Sequence, residues 1–93
     1  MLKLDYEELE SSASTLSAQG DQFEDCIRIM NNVINELPNY WEAETCDQYV
    51  QEFNDALPTL NDVRQLIADM AAQMNKIAEN FREADSNMAN QMK

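Results

Sequence analysis

Two cysteines, Cys26 and Cys46, six methionines and 18 Asp or Glu are the residues of this chain best equipped for chemistry, and histidine is absent. Without histidine the commonest general base, the commonest zinc ligand and the usual partner of a Cys or Ser nucleophile are all missing. No catalytic residue, cofactor-binding residue or metal ligand is therefore assigned, no cofactor is implied, and an enzyme is the least favoured class. A di-metal carboxylate bundle needs Glu-x-x-His pairs that this chain does not contain. The acidic runs Asp5 to Glu10, Glu42 to Asp47 and Glu83 to Asp85 read as solvated faces and helix-start charges, with Asp85 the one exception. Met70, Met74, Met88 and Met92 read as core filler, or as a flexible surface that repacks on a partner.

Such residues need elements to position them. Six Lys+Arg against 18 Asp+Glu give a formal net charge of -12. That charge repels phosphate backbones and anionic lipid, so nucleic acid is excluded as a main partner. No run of about 20 apolar residues is present to span a bilayer, and the start of the chain lacks the apolar stretch and small-residue site of a cleavable signal peptide. With 1 Gly and 2 Pro in 93 residues, turns are scarce and the elements are long helices.

From Leu2, alternating steps of four and three land on Leu2, Tyr6, Leu9, Ala13, Leu16, Gly20, Phe23, Ile27, Met30, Ile34, Leu37 and Trp41. All but Gly20 are apolar, in a chain that is 44% hydrophobic, which makes a heptad stripe and predicts a first helix over about residues 5–37. Asp5 can cap the Glu8 amide, Glu8 can complete a capping box, and Leu4 can staple onto Leu9. Pro38 ends the helix. Gly20 either admits a close backbone approach or is tolerated at a surface edge.

A turn at 38–41 leads to a second stripe through Cys46, Val50, Phe53, Leu57, Leu60, Val63, Ile67, Met70, Met74, Ile77, Phe81, Ala84, Met88 and Met92, which predicts a second helix over about residues 42–90. Pro58 bends it or, less favourably, splits it in two. The expected fold is all-α: an antiparallel two-helix hairpin spanning 1–93 as a single domain and dimerising into a four-helix bundle. One hairpin of this size buries too little to stand alone. The expected dimer interface is Leu9, Ala13, Leu16, Gly20, Phe23 and Ile27.

Folding about Tyr40-Trp41 places Asp5 opposite Lys76, so residues 77–93 overhang by ~20 Å. Ile77, Phe81, Ala84, Met88 and Met92 are then left without an intrachain partner. The same folding offsets Cys26 from Cys46 by ~13 Å along the axis, beyond disulfide reach.

The hairpin, the length near one hundred and a tryptophan at the turn together resemble the WXG100, or ESAT-6-like, family over essentially the whole chain. Trp41-Glu42-Ala43 stands at the Trp-x-Gly turn motif, with Thr45 and Tyr49 following as the small and aromatic residues of early helix 2. Phe81-Arg82-Glu83-Ala84-Asp85 stands at the Tyr-x-x-x-Asp/Glu export motif, with Met88 and Met92 as the hydrophobic residues after the acid. Ala43 replaces a glycine, which argues for close backbone approach rather than positive φ, and Phe81 replaces a tyrosine.

The resemblance implies a small secreted hairpin, exported as a dimer by a type VII (ESX) secretion system through an FtsK/SpoIIIE-type ATPase. It would be cytoplasmic before export, leave without a cleavable signal peptide, and act by protein–protein interaction as effector or secretion partner. Trp41 of one hairpin and Phe81/Asp85 of the other would form a bipartite signal. A homodimer is favoured, and the alternative is a heterodimer that targets a larger toxin. A structural coiled-coil module without export is the second class.

Overall fold

The computed structural model describes the backbone of residues 3–91 and the side chains of residues 3–89. Leu2 and Met92, both placed on stripes by the sequence, lie outside the described residues. The chain is a helical hairpin: α1 spans Tyr6–Glu36, one turn of 3-10 helix covers Leu37–Asn39, and α2 spans Glu44–Gln91, with no strand among the described residues.

Asp5 caps α1. Its Oδ1 accepts the Glu8 N–H at 3.0 Å while its carbonyl accepts the Leu9 N–H at 3.0 Å, an arrangement that contributes ~1 kcal/mol. Glu7 and Glu8 occupy the first turn, at the positive end of the helix dipole. At the other end Pro38 disfavours helical geometry at Leu37. The backbone tightens, and the Leu37 carbonyl accepts N–H bonds from both Tyr40, at 3.2 Å, and Trp41, at 3.0 Å. Glu42 and Ala43 stay outside the helix, so α2 starts at Glu44, two residues later than its apolar stripe suggests. It then runs unbroken through Pro58. Pro58 cannot donate to the Asn54 carbonyl, and both residues are exposed.

The chain divides into two compact units, a turn half of Gly20–Leu66 and a terminal half built from the residues up to Gln19 and those from Ile67 onward. In the turn half Gly20, Ile27 and Cys46 are buried, with Phe23, Ile34, Val50, Phe53, Leu57 and Leu60 half-buried around them. Gly20 is helical, without positive φ, and its burial decides between the two readings of this glycine: a missing Cβ lets a neighbour come close. Cys26 is exposed, Cys46 is buried, and neither is bonded.

In the terminal half the fully enclosed residues are small: Ala13, Ala71 and Ala78. Tyr6 lies against Asp85 and Glu10 against Arg82, and this register carries Ala13 opposite Ala78 two turns further in.

Three expectations change. First, the overhang does not begin at Lys76: α2 remains paired with α1 through Asp85. The chain does not reverse at a single point, because the 3-10 turn and residues 40–43 form a long connection. Trp41 meets Tyr49, which lies in the first turns of α2.

Second, the seam on α2 departs from the large-residue stripe in places: Cys46 is buried and Val50, Phe53, Leu57, Leu60, Ile67 and Met74 are half-buried as expected, but Val63, Met70 and Ile77 turn outward. Met70 is 48% and Ile77 46% exposed, while Ala71 at 3% and Ala78 at 0%, one residue later and about 100° round the helix, are inside. Val63 is likewise exposed and Arg64 half-buried. Third, of the residues expected at a dimer interface, Ala13, Gly20 and Ile27 are already buried within the single chain. Leu9, Leu16 and Phe23 keep part of their surface.

Candidate functional site

The turn half presents Trp41 with Glu42 and Ala43. The Trp41 ring is half-buried and meets Tyr49 edge-on, with centroids 5.7 Å apart and planes at 66°. Glu42, Ala43, Tyr40 and Tyr49 are exposed. The indole is therefore held by an aromatic neighbour and by the backbone turn at Leu37, with polar residues free beside it. In the same unit Ile29, Met30, Val33, Ile34 and Phe53 line an open apolar concavity of about 240 Å³.

The terminal half carries Phe81, Asp85 and Met88. Phe81 and Asp85 are one turn apart, on one face of α2. Met70, Ile77, Phe81 and Met88 recur at steps of seven and four, so they line a second stripe of the same helix, and all four are exposed. An open cavity of about 390 Å³ is lined by Ser11, Ser12, Thr15, Leu16, Gln19 and Met74.

Around Asp85 a polar cluster joins the two ends of the chain. Tyr6 Oη donates to Asp85 Oδ2 at 3.4 Å, the Arg82 guanidinium lies over the Tyr6 ring at 5.1 Å from its centroid, and Arg82 Nη2 donates to Glu10 Oε2 at 2.6 Å. Loss of water around the Tyr6 phenol raises its pKa, and the Asp85 charge raises it further. Asp85 was expected to stand clear of the fold, and the structure instead gives it a partner in its own first helix. Tyr6 entered the sequence reading only as a stripe position. The available signal was Arg82 itself, one of only six basic residues in an acidic chain, placed between Phe81 and Asp85.

Burial pushes the Cys46 thiol up, with the Asp47 charge adding to it, which keeps the thiol protonated and unreactive. Among the described residues no three His, Cys, Asp or Glu converge to hold a metal ion, and no helix is long and apolar enough to cross a membrane. What is on offer is surface: an aromatic turn, an exposed apolar stripe and a tethered acid.

A family model described as WXG100, proteins of 100 residues with WXG, matches residues 1–86. The chain belongs to the WXG100 family. It is 28% identical over 91 residues to an ESAT-6-like protein of Streptococcus agalactiae serotype V, covering 98% of this chain and 95% of that protein. It is 21% identical over 90 residues to the type VII secretion system extracellular protein A of Staphylococcus aureus strain USA300, covering 97% of this chain and 93% of that one. The same figures hold for strain Newman. In this WXG100 chain Ala43 stands at the glycine of the name. No non-glycine residue among those described has positive φ, so alanine meets no backbone strain there. Ala43 is exposed.

Proposed function

We propose that this WXG100 protein is carried out of the cell by a type VII secretion system as a dimer of helical hairpins, and that it acts by protein–protein contact. The observation that carries the reading is the family match over residues 1–86, joined by near full-length similarity to a protein named for type VII secretion. Trp41, Glu42 and Ala43 form the turn motif. Phe81, Asp85, Met88 and Met92 form the export signal read by an FtsK/SpoIIIE-type ATPase.

Dimerisation is supported by the apolar surface that the hairpin leaves open. In the terminal half this is Met70, Ile77, Phe81 and Met88; in the turn half it is Ile29, Met30, Val33, Val63 and Leu66. Burying such stripes against a second copy is the ordinary remedy for a small amphipathic hairpin. Leu9, Leu16 and Phe23 can contribute only their uncovered edges.

The test is secretion of Asp85→Asn from the native host. The variant should keep its helicity and dimer mass, disappear from the medium and accumulate in cells. Normal secretion of the folded variant would remove Asp85 from the signal. Co-purification of the intact complex, with its mass measured, should return two copies of this chain; a larger partner would replace the homodimer with a toxin-targeting heterodimer.

A further inference from the structure

The described contacts around Asp85 tie residues 79 and 72 positions apart in the chain, Tyr6 to Asp85 and Glu10 to Arg82. Tyr6 and Glu10 are one turn apart on α1. Arg82 and Asp85 are one turn apart on α2, so two residues from each helix close a single rung. The rung sits at the edge of the paired region: Ala78 is fully enclosed, whereas residues 86–89 are all exposed. Phe81, which shares the Asp85 face, keeps 37% of its surface open. Tyr6 engages Oδ2 of Asp85.

We propose that Tyr6 is a positioning residue for the export signal: with Arg82 and Glu10 it fixes the Phe81/Asp85 face of α2 on the first turn of α1, so that the secretion machinery reads one ordered surface built from both ends of the chain. The proposal rests on the reading of Asp85 as an export determinant. Its physical basis is that a helix end beyond its last packed turn frays, and a fraying segment presents a two-residue signal only part of the time. A receptor's apparent affinity falls by the fraction of time the competent geometry is absent. The Arg82 guanidinium holds the Tyr6 ring from one side while the hydroxyl holds the carboxylate, so ring and hydroxyl can be removed separately.

The experiment compares Tyr6→Phe, Tyr6→Ala, Arg82→Gln and Asp85→Asn in the native host. It measures the ratio of protein in medium to protein in cells, together with helicity and mass of each purified chain. Tyr6→Phe keeps the ring and loses only the hydroxyl; its secretion should fall by roughly two- to tenfold, the range one net hydrogen bond contributes to an equilibrium, at unchanged helicity and mass. Tyr6→Ala and Arg82→Gln should fall at least as far. In purified protein carrying ring-labelled tyrosine, the Tyr6 phenol should titrate above an ordinary tyrosine and return toward it in Asp85→Asn. That coupling reports the Tyr6–Asp85 contact itself, and the secretion ratio of Tyr6→Phe at unchanged helicity and mass reports its role. Retention of Asp85→Asn with wild-type or increased secretion of both Tyr6 variants would overturn the positioning role and leave the export reading standing. Normal secretion of Asp85→Asn would overturn both.

Discussion

Ala78→Leu adds an isopropyl group to a side chain with no exposed surface, set opposite Ala13, which is equally enclosed. Leucine is nearly as good a helix former as alanine, so the helix itself barely notices the change. The seam does: forcing extra carbons into a packed contact costs typically 1–3 kcal/mol. For a chain of this size that corresponds to a fall in melting temperature of roughly 5–20 °C. The companion variant is Ile77→Ala, one residue earlier. Ile77 is 46% exposed, so at ~0.8 kcal/mol per buried CH2 its truncation loses about 1 kcal/mol, part of which alanine's better helix propensity returns. Circular-dichroism melts and urea titrations over a hundredfold dilution separate hairpin stability from association, because only the latter makes the midpoint depend on concentration. A neutral Ala78→Leu together with an Ile77→Ala loss of more than about 2 kcal/mol would place the seam on the large residues and refute the close-packed alanine register.

Trp41→Ala should lower stability by ~3 kcal/mol, and the emission of the single tryptophan should lie short of the fully hydrated wavelength; a water-exposed spectrum with an unchanged melt would contradict the packing on Tyr49. In native protein a thiol reagent should modify Cys26 rapidly and Cys46 only on unfolding, and equal rates would show that Cys46 is not enclosed. Because burial raises the folded Cys46 pKa, its neutral thiol stabilises the fold in full below the unfolded value near 9.0. That contribution is lost as pH climbs through the raised folded value. Alkaline melts should therefore decline less in Cys46→Ala than in the parent, and parallel declines would reject the linkage. Light scattering at micromolar concentration should return twice the 10.7 kDa chain mass, and a stable monomer would rule out the dimer.

The sequence by itself determined the two helices, their break at Pro38 and the Asp5 cap, because these follow from local backbone chemistry: a missing N–H, a side chain that accepts an orphan amide, a long apolar period. It also determined the family, since Trp41 at the turn and the acid near the far end are matters of spacing. It could not determine the seam. Hydrophobic periodicity weighs side chains by size, and α2 carries its large residues on one stripe and small ones on the next. In the turn half the stripe residues Cys46, Val50, Phe53, Leu57 and Leu60 do turn inward, whereas in the terminal half full enclosure passes to Ala71 and Ala78, with Ile67 and Met74 half-buried beside them; small residues weigh little in an apolar pattern. The partner of Asp85 was hidden for a related reason. A pairing between residue 6 and residue 85 depends on how the two helices align lengthwise, which the periodicity along each helix does not state. Only the tertiary structure decides that alignment, because it arises from packing between segments that the sequence keeps far apart.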